Sequence, residues 1–143
     1  MSLLLDTSGL LSAIDSSQRF HRECAAALLT AEPPLLLCPF VLAELDYLLG
    51  TQIGETAQLA LLDDVARSAY QLESFDVKDV DAAIRFMRRY PGIGLTDASL
   101  VVLAERNSTR EILTLDERHF RPMRWSKGRS FHLVPIDSAA SGR

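Results

Sequence analysis

The chain has 143 residues, 48% of them hydrophobic, and a formal net charge of −4. That length and apolar share suit one globular domain with its own core and no need of disulfide staples. No apolar run approaches the roughly 18 residues of a membrane span, and the acidic balance gives the molecule as a whole no attraction for a polyanion.

The opening "MSLLLDTSGLLSAI" lacks the basic flank of a leader peptide, and its Leu3–Leu5 run is far too short for one, so a cytoplasmic protein is expected. Leu3–Leu5 is a predicted strand that stops at Asp6. Residues 8–15 and 20–30 read as helices, and Glu32-Pro33-Pro34 breaks the pattern. Residues 35–38 form a second predicted strand, and Pro39 stands where prolines favour a helix start. The helix over 39–49 carries Val41, Leu42, Leu45, Leu48 and Leu49 on one face, with Gly50 as its end. A further helix covers 55–68, a strand 70–75, and Asp76 caps a helix over 77–90. After a loop at 91–94 come a helix over 96–106 and strands over 111–115 and 131–136. "DSAASGR", residues 137–143, is small and polar and reads as a disordered tail beyond a domain of residues 1–136. Cys24 and Cys38 are isolated in apolar surroundings, without zinc-type spacing, and read as reduced core thiols.

Strands alternating with helices predict an α/β fold: a central, mostly parallel sheet of four to five strands flanked by helices in three layers. Right-handed crossovers put every strand's carboxyl end on one edge, which is where ligands bind in such sheets. Asp6 and Asp116 both end strands at that edge. Asp97 lies in the first turn of an almost wholly apolar helix, where burial of a lone carboxylate costs several kcal/mol. Glu44 and Asp46 flank the apolar face of the 39–49 helix at opposite borders, and periodicity does not choose between them. Each acid has an ordinary reading as a helix cap, turn residue or solvated edge residue. Their coincidence at one edge favours a shared site instead. Two carboxylates 4 Å apart repel by about 4 kcal/mol at an effective dielectric near 20, and hard divalent cations such as Mg²⁺ or Mn²⁺ are the matching counter-charge for all-oxygen ligands. Water activated by such ions hydrolyses phosphodiesters without a protein nucleophile.

From Arg118 to His132 the chain carries Arg118, Arg121, Arg124, Lys127 and Arg129 and no acid, interleaved with Phe120, Trp125 and Phe131. A basic, aromatic stretch in an acidic protein points to nucleic acid, and the competing reading is a solvated loop.

"LLLDTSGLLS", "CPFVLAELDYLL", "GIGLTDASLVVLAER" and "ILTLDERHF" resemble, in order and over nearly the whole chain, the four motifs of PIN-domain ribonucleases, and more narrowly VapC toxins of bacterial toxin–antitoxin pairs. The resemblance places the family's acidic tetrad, catalytic and metal-binding, on Asp6, Glu44, Asp97 and Asp116, and so selects Glu44 over Asp46. Thr7, Ser8 and Thr114 match flanking hydroxyl positions that orient carboxylates or water. It implies a Mg²⁺- or Mn²⁺-dependent endoribonuclease that cuts structured RNA, tRNA or ribosomal RNA, leaves a 5′-phosphate and so inhibits translation and growth. It further implies a homodimer inhibited by a cognate VapB-type antitoxin. Arg118, Arg121, Arg124, Trp125, Lys127 and Arg129 are then candidates for holding the RNA. A haloacid-dehalogenase-type phosphatase would need a second Asp where Ser8 stands. A receiver domain would need a Lys after a late strand, and the only lysines, Lys78 and Lys127, follow none. A non-catalytic RNA-binding or scaffold module on the same fold is the remaining alternative, and the intact tetrad speaks against it.

Overall fold

Short apolar runs become the strands of the computed structural model, which describes residues 2–125 and 128–141. The strands of the main sheet are β1 (Leu3–Leu5), β2 (Leu35–Leu37), β3 (Gln71–Leu72), β4 (Glu111–Leu113) and β7 (His132–Val134), in the spatial order β3-β2-β1-β4-β7 and all parallel. Between them run α1 (Thr7–Ile14), α2 (His21–Thr30), α3 (Pro39–Gln52), α4 (Glu55–Ala66), α5 (Val77–Arg89), α6 (Leu95–Arg106) and the one-turn α7 (Glu117–Phe120). A small antiparallel hairpin, β5 (Arg124–Trp125) with β6 (Arg129–Ser130), precedes β7, and α8 (Ile136–Ser141) follows it. The predicted α/β class and parallel sheet are thus observed, with five strands.

Helices cover the sheet, so its central strands need no polar face. Leu4, Leu5, Leu36, Leu37, Ile112, Leu113 and Leu133 are all inaccessible to solvent. Every residue of α6 from Ala98 to Ala104 is buried as well, which makes α6 a core helix rather than a surface one. β1 lies between β2, reached by one crossover, and β4, reached only after the chain has gone out to β3 and returned. The order therefore reverses at β1, and the crevice at its carboxyl end is the expected ligand position. Polar links close both ends of this central pair. At the amino end the Thr109 hydroxyl donates to the Ser2 carbonyl at 2.6 Å, and at the carboxyl end the Asp6 N–H donates to the Leu113 carbonyl at 3.0 Å.

Local departures from the sequence reading have identifiable causes. The strand expected over 70–75 pairs at Gln71 and Leu72, with one more bond from the Glu73 N–H to the Leu37 carbonyl at 2.9 Å, before the chain is drawn toward the end of α6. Asn107 donates to the Glu73 carboxylate at 2.6 Å, and Arg106 to the Ser74 carbonyl at 2.7 Å. Gly50 does not end α3. A Cβ there would sit 2.6 Å from the Gln58 amide, so the glycine makes room for α4 and the helix runs on to Gln52. Residues 137–141, read as part of a loose tail, continue as α8, tied at its start by Asp137, which accepts from the Leu133 N–H at 2.8 Å. Asp76 caps α5 as expected, in a reciprocal box with Asp79.

Gly9 sets how closely α1 approaches the sheet. A Cβ at this position would lie 2.4 Å from the Leu113 carbonyl oxygen, so only glycine lets the helix rest on the β4 backbone. Gly9→Ala should destabilise the fold by about 1–3 kcal/mol, the usual cost of forcing atoms into a packed contact. Chemical denaturation of the two proteins measures this directly, and an unchanged midpoint would show that α1 can move away freely.

Candidate active site

Asp6 leaves β1 and opens α1, yet its side chain makes no capping hydrogen bond to that helix. It points into the crevice between β1 and β4, only 5% exposed, and accepts from the Thr114 hydroxyl at 2.7 Å and the Ser8 hydroxyl at 3.3 Å. Thr114 is fully buried and also accepts from the Asp116 N–H at 3.0 Å. The Ser8 oxygen accepts from the Leu115 N–H at 3.0 Å. These two hydroxyls therefore lash the turn after β1 to the turn after β4, and fix Asp6 and Asp116 relative to one another.

Glu44 reaches the same edge from α3. One carboxylate oxygen accepts from the Thr7 hydroxyl at 2.7 Å and the other from the Thr96 hydroxyl at 2.8 Å. Asp46, two residues on, turns to the neighbouring helix, where its backbone carbonyl and its carboxylate accept from the Gln58 amide at 3.0 and 3.1 Å. The two acids that helix phase leaves equivalent thus have different surroundings: Glu44 is held by the residues beside Asp6 and Asp97, Asp46 by α4. Asp97 lies in the first turn of α6, half-buried. Asp116 caps α7, accepting from the His119 N–H at 3.0 Å, while its other oxygen meets His119 Nδ1 at 2.7 Å. The same Nδ1 is 3.6 Å from the Asp97 carboxylate.

Burial and mutual repulsion shape the charges. Burial raises the Asp6 carboxyl from 3.8 to about 6, against the opposing hydrogen bond from Thr114, with the charges of Asp97 and Asp116 adding to the rise. Asp97 is also raised by burial, partly offset by His119, and raised further by Asp116 and Glu44. His119 is raised, chiefly through its hydrogen bond to Asp116. Asp97, Asp116 and His119 each present a ligand atom, all within 4.8 Å of one another, and this group could hold a metal ion. Carboxylate oxygens with one imidazole suit a hard or borderline divalent cation. The thiols of Cys24 and Cys38 are buried and lie outside this group.

His119 and Thr96 escape a reading based on acids alone. The signal for His119 was its position three residues after Asp116, which on a helical turn brings it back over the capping carboxylate. Thr96 carried none beyond standing next to Asp97.

The basic stretch divides. Arg118 is exposed on α7, beside His119. Arg121 is engaged by Glu117 at 3.0 Å and by Asp137 at 2.6 Å. Arg124 is exposed but donates to the Arg121 and Met123 carbonyls at 2.7 and 3.1 Å, and Arg129 is exposed on β6. The Trp125 side chain and Lys127 lie outside the described residues. Phe120 and Phe131 are buried and pack edge to face, with ring centroids 6.0 Å apart, so these interleaved aromatics belong to the core.

The model of the PIN domain family matches residues 3–124. Ribonuclease VapC26 of Mycobacterium tuberculosis is 38% identical over 135 residues, spanning 93% of this chain and all of the relative. Among solved structures, M. tuberculosis VapC20, described as a sarcin–ricin loop cleaving toxin, superposes with a TM-score of 0.76 at 16% identity, covering 82% of this chain and 92% of that one. A toxin–antitoxin complex from Klebsiella pneumoniae gives 0.66 at 18% identity, with 85% and 92% covered. VapBC2 of Rickettsia felis, bound to a DNA fragment from its promoter, gives 0.64 at 16% identity, with 93% and 98% covered.

The raised groups of the crevice, Asp6, Asp97 and His119, act in one direction on the ion-free protein. Asp6, with a folded pKa above its ordinary 3.8, holds more protons folded than unfolded, so stability falls as pH rises from about 4 to about 6. His119, raised above 6.5, contributes fully below that value, and its contribution is lost as pH climbs through the folded pKa. Melting in chelator should therefore occur at lower temperature at about pH 8 than at about pH 5, and Asp6→Asn should narrow the difference. Curves of equal pH dependence for the two proteins would show that Asp6 is not under this pressure.

Proposed function

The chain belongs to the PIN-domain family, as a VapC-type ribonuclease toxin of a toxin–antitoxin system, and we propose that the acidic crevice at the end of β1 is its nuclease centre. The observation that carries this reading is the approach of Asp6, Glu44, Asp97 and Asp116, from four separate stretches of chain, to the point where strand order reverses. Among the described residues, the one basic side chain paired with this group is His119.

Asp6, Asp97 and Asp116 are assigned as holders of Mg²⁺, or Mn²⁺ in its place, with Glu44 beside them and His119 as a further donor. When bound, such an ion supplies Lewis-acid stabilisation of the phosphodiester and a more acidic water. The chain's own work is positional. Thr114 and Ser8 fix the Asp6 carboxylate, Thr7 and Thr96 hold Glu44 by both oxygens, and α7 presents Asp116 with its capping bond already made. The substrate class is structured RNA, tRNA or ribosomal RNA, cut to leave a 5′-phosphate. The description of VapC20 as cleaving the sarcin–ricin loop makes ribosomal RNA the first to test. Arg118, Arg124 and Arg129 are proposed to hold its backbone, together with Lys127. The site of action is the cytoplasm, where that RNA is found, and no helix among the described residues is long and apolar enough to cross a membrane.

Purified protein should cut RNA in Mn²⁺ and not in chelator. Asp97→Asn should lower the rate by more than about 100-fold and Glu44→Gln by about 10–100-fold, with circular dichroism unchanged in both. Asp46→Asn should stay active. At a hundredfold excess over its dissociation constant, Mn²⁺ should stabilise the wild type by about 2.7 kcal/mol, or roughly 5–10 °C in Tm, and Asp97→Asn should lose that shift. Equal activity of the Glu44 and Asp46 variants would remove Glu44 from the site.

Apolar side chains remain uncovered on α3 to α5: Tyr47 is 69% exposed, Leu59 52% and Val77 84%. Such surface marks a partner, and we assign it to a second copy of the chain and to a VapB-type antitoxin. Light scattering should give twice the monomer mass, rising on addition of the antitoxin. A monomer throughout the micromolar range, with no gain in mass, would exclude both.

A further inference from the structure

A cleft of about 330 Å³ opens between the end of α5, the following loop and α7, with Arg89, Tyr90, Ile93, Arg118, His119 and Met123 among its walls. That volume lies within the range of small-molecule sites, about 300–1,000 Å³. His119 is shared: it lines the cleft and also contacts Asp116 and Asp97, so the cleft is continuous with the acidic crevice. Arg89 and Arg118 are both exposed, and neither forms an ion pair among the described residues. They contrast with Arg121, whose charge is matched by Glu117 and Asp137.

The geometry points to a subsite for one unpaired RNA nucleotide next to the bond that is cut, an inference that rests on the ribonuclease reading above. The Arg89 guanidinium lies over the Tyr90 ring, 5.4 Å from its centroid, and Tyr90 is anchored because its hydroxyl accepts from the Arg124 N–H at 3.1 Å. A guanidinium plane fixed in this way is a platform on which an unstacked base can lie. The buried Ile93 and Met123 side chains give the cleft an apolar floor. Arg118 supplies positive charge on the opposite wall, for a phosphate that the nearby carboxylates repel. Apolar floor, flat cation and free guanidinium match base and phosphate of a single nucleotide, and duplex RNA, whose bases are stacked and paired, offers no such unit. The nuclease thus reads at least one nucleotide that is unpaired where it cuts.

Binding of a fluorescein-labelled oligouridylate by the intact protein, followed by anisotropy in chelator so that the strand survives, tests the assignment. Arg89→Ala and Arg118→Ala should each weaken binding by about fivefold or more, and Arg118→Ala should flatten the log–log salt dependence by about 0.7, the value for one phosphate on a single strand. Arg67→Ala, at the opposite edge of the sheet, should leave both unchanged. An abasic strand of equal length should bind the wild type more weakly than oligouridylate, and Arg89→Ala should erase that difference while Arg118→Ala keeps it. Both arginines are exposed, so the variants should keep the wild-type circular dichroism and the Mn²⁺-induced rise in Tm. If the wild type cuts RNA in Mn²⁺ and both cleft variants bind oligouridylate like wild type, the subsite is wrong while the ribonuclease reading stands. If they bind RNA normally but lose affinity for the antitoxin, the cleft is a protein-docking site and the proposal falls. If the wild type cuts no RNA in Mn²⁺, the ribonuclease reading fails and the subsite goes with it.

Discussion

Repulsion among carboxylates gathered at the end of β1 is the constraint around which the rest of the structure is arranged. Burial sharpens it: loss of hydration is the largest cause of the raised Asp6 pKa, and the charges of Asp97 and Asp116 add to the rise. The surrounding chain contains this in several ways at once. Hydroxyls of Thr7, Thr96, Ser8 and Thr114 satisfy carboxylate oxygens without adding charge. The His119 ring takes a position within reach of both Asp97 and Asp116. Burial raises the carboxyl of Asp6, the most buried of the four, to about 6. A fold that keeps such a cluster of acids at one edge gives up stability for it.

The parallel sheet makes the cluster possible. Strands entering from the same side deliver their carboxyl ends to one edge, and the reversal of order at β1 leaves a crevice that no crossover helix occupies. Gly9 then lets α1 press against β4, which shortens the reach between the turns that carry Asp6 and Asp116. Charge on the rim follows the same geography. Arg118 and Arg89 line the cleft beside the acidic crevice on the α5–α7 side, so positive charge borders the carboxylates there. The separation of the two signs across His119 gives the site a direction.

Much of this was legible in the amino-acid order, because the informative features were periodic or terminal. The apolar triplet before Asp6 and the Ile112-Leu113 pair before Thr114-Leu115-Asp116 announce strands that end in acids, and the apolar run Leu100–Ala104 of α6 announces a core helix. The choice between Glu44 and Asp46 was not legible from phase, since both border the same apolar face. The two acids differ instead in contacts from Thr7, Thr96 and Gln58, which lie elsewhere in the chain. One-turn and two-residue elements, α7 and the β5–β6 hairpin, are too short to carry a period. Gly50 misled for a physical reason: absence of a side chain signals a helix end or a close neighbour, and only the position of Gln58 tells which.

The leucine triplets have a consequence for how the chain finds its alignment. Leu3-Leu4-Leu5 lies against Leu35-Leu36-Leu37, residue for residue. A slip by one position would exchange leucine for leucine, so the side chains of these strands hold almost no information about their own pairing, whereas an ordinary half-buried strand is policed by its polar face. The alignment has to be dictated from the ends. Toward β2 the Leu3 N–H on the Pro34 carbonyl does so at one end and the Thr7 hydroxyl on Glu44 of α3, the helix after β2, at the other, while Thr109 on the Ser2 carbonyl and Thr114 and Ser8 on Asp6 set β1 against β4. Residues that would be filed under chemistry are therefore also the ruler of the sheet, and a lineage that discarded the reaction would still be under pressure to keep part of its polar crevice.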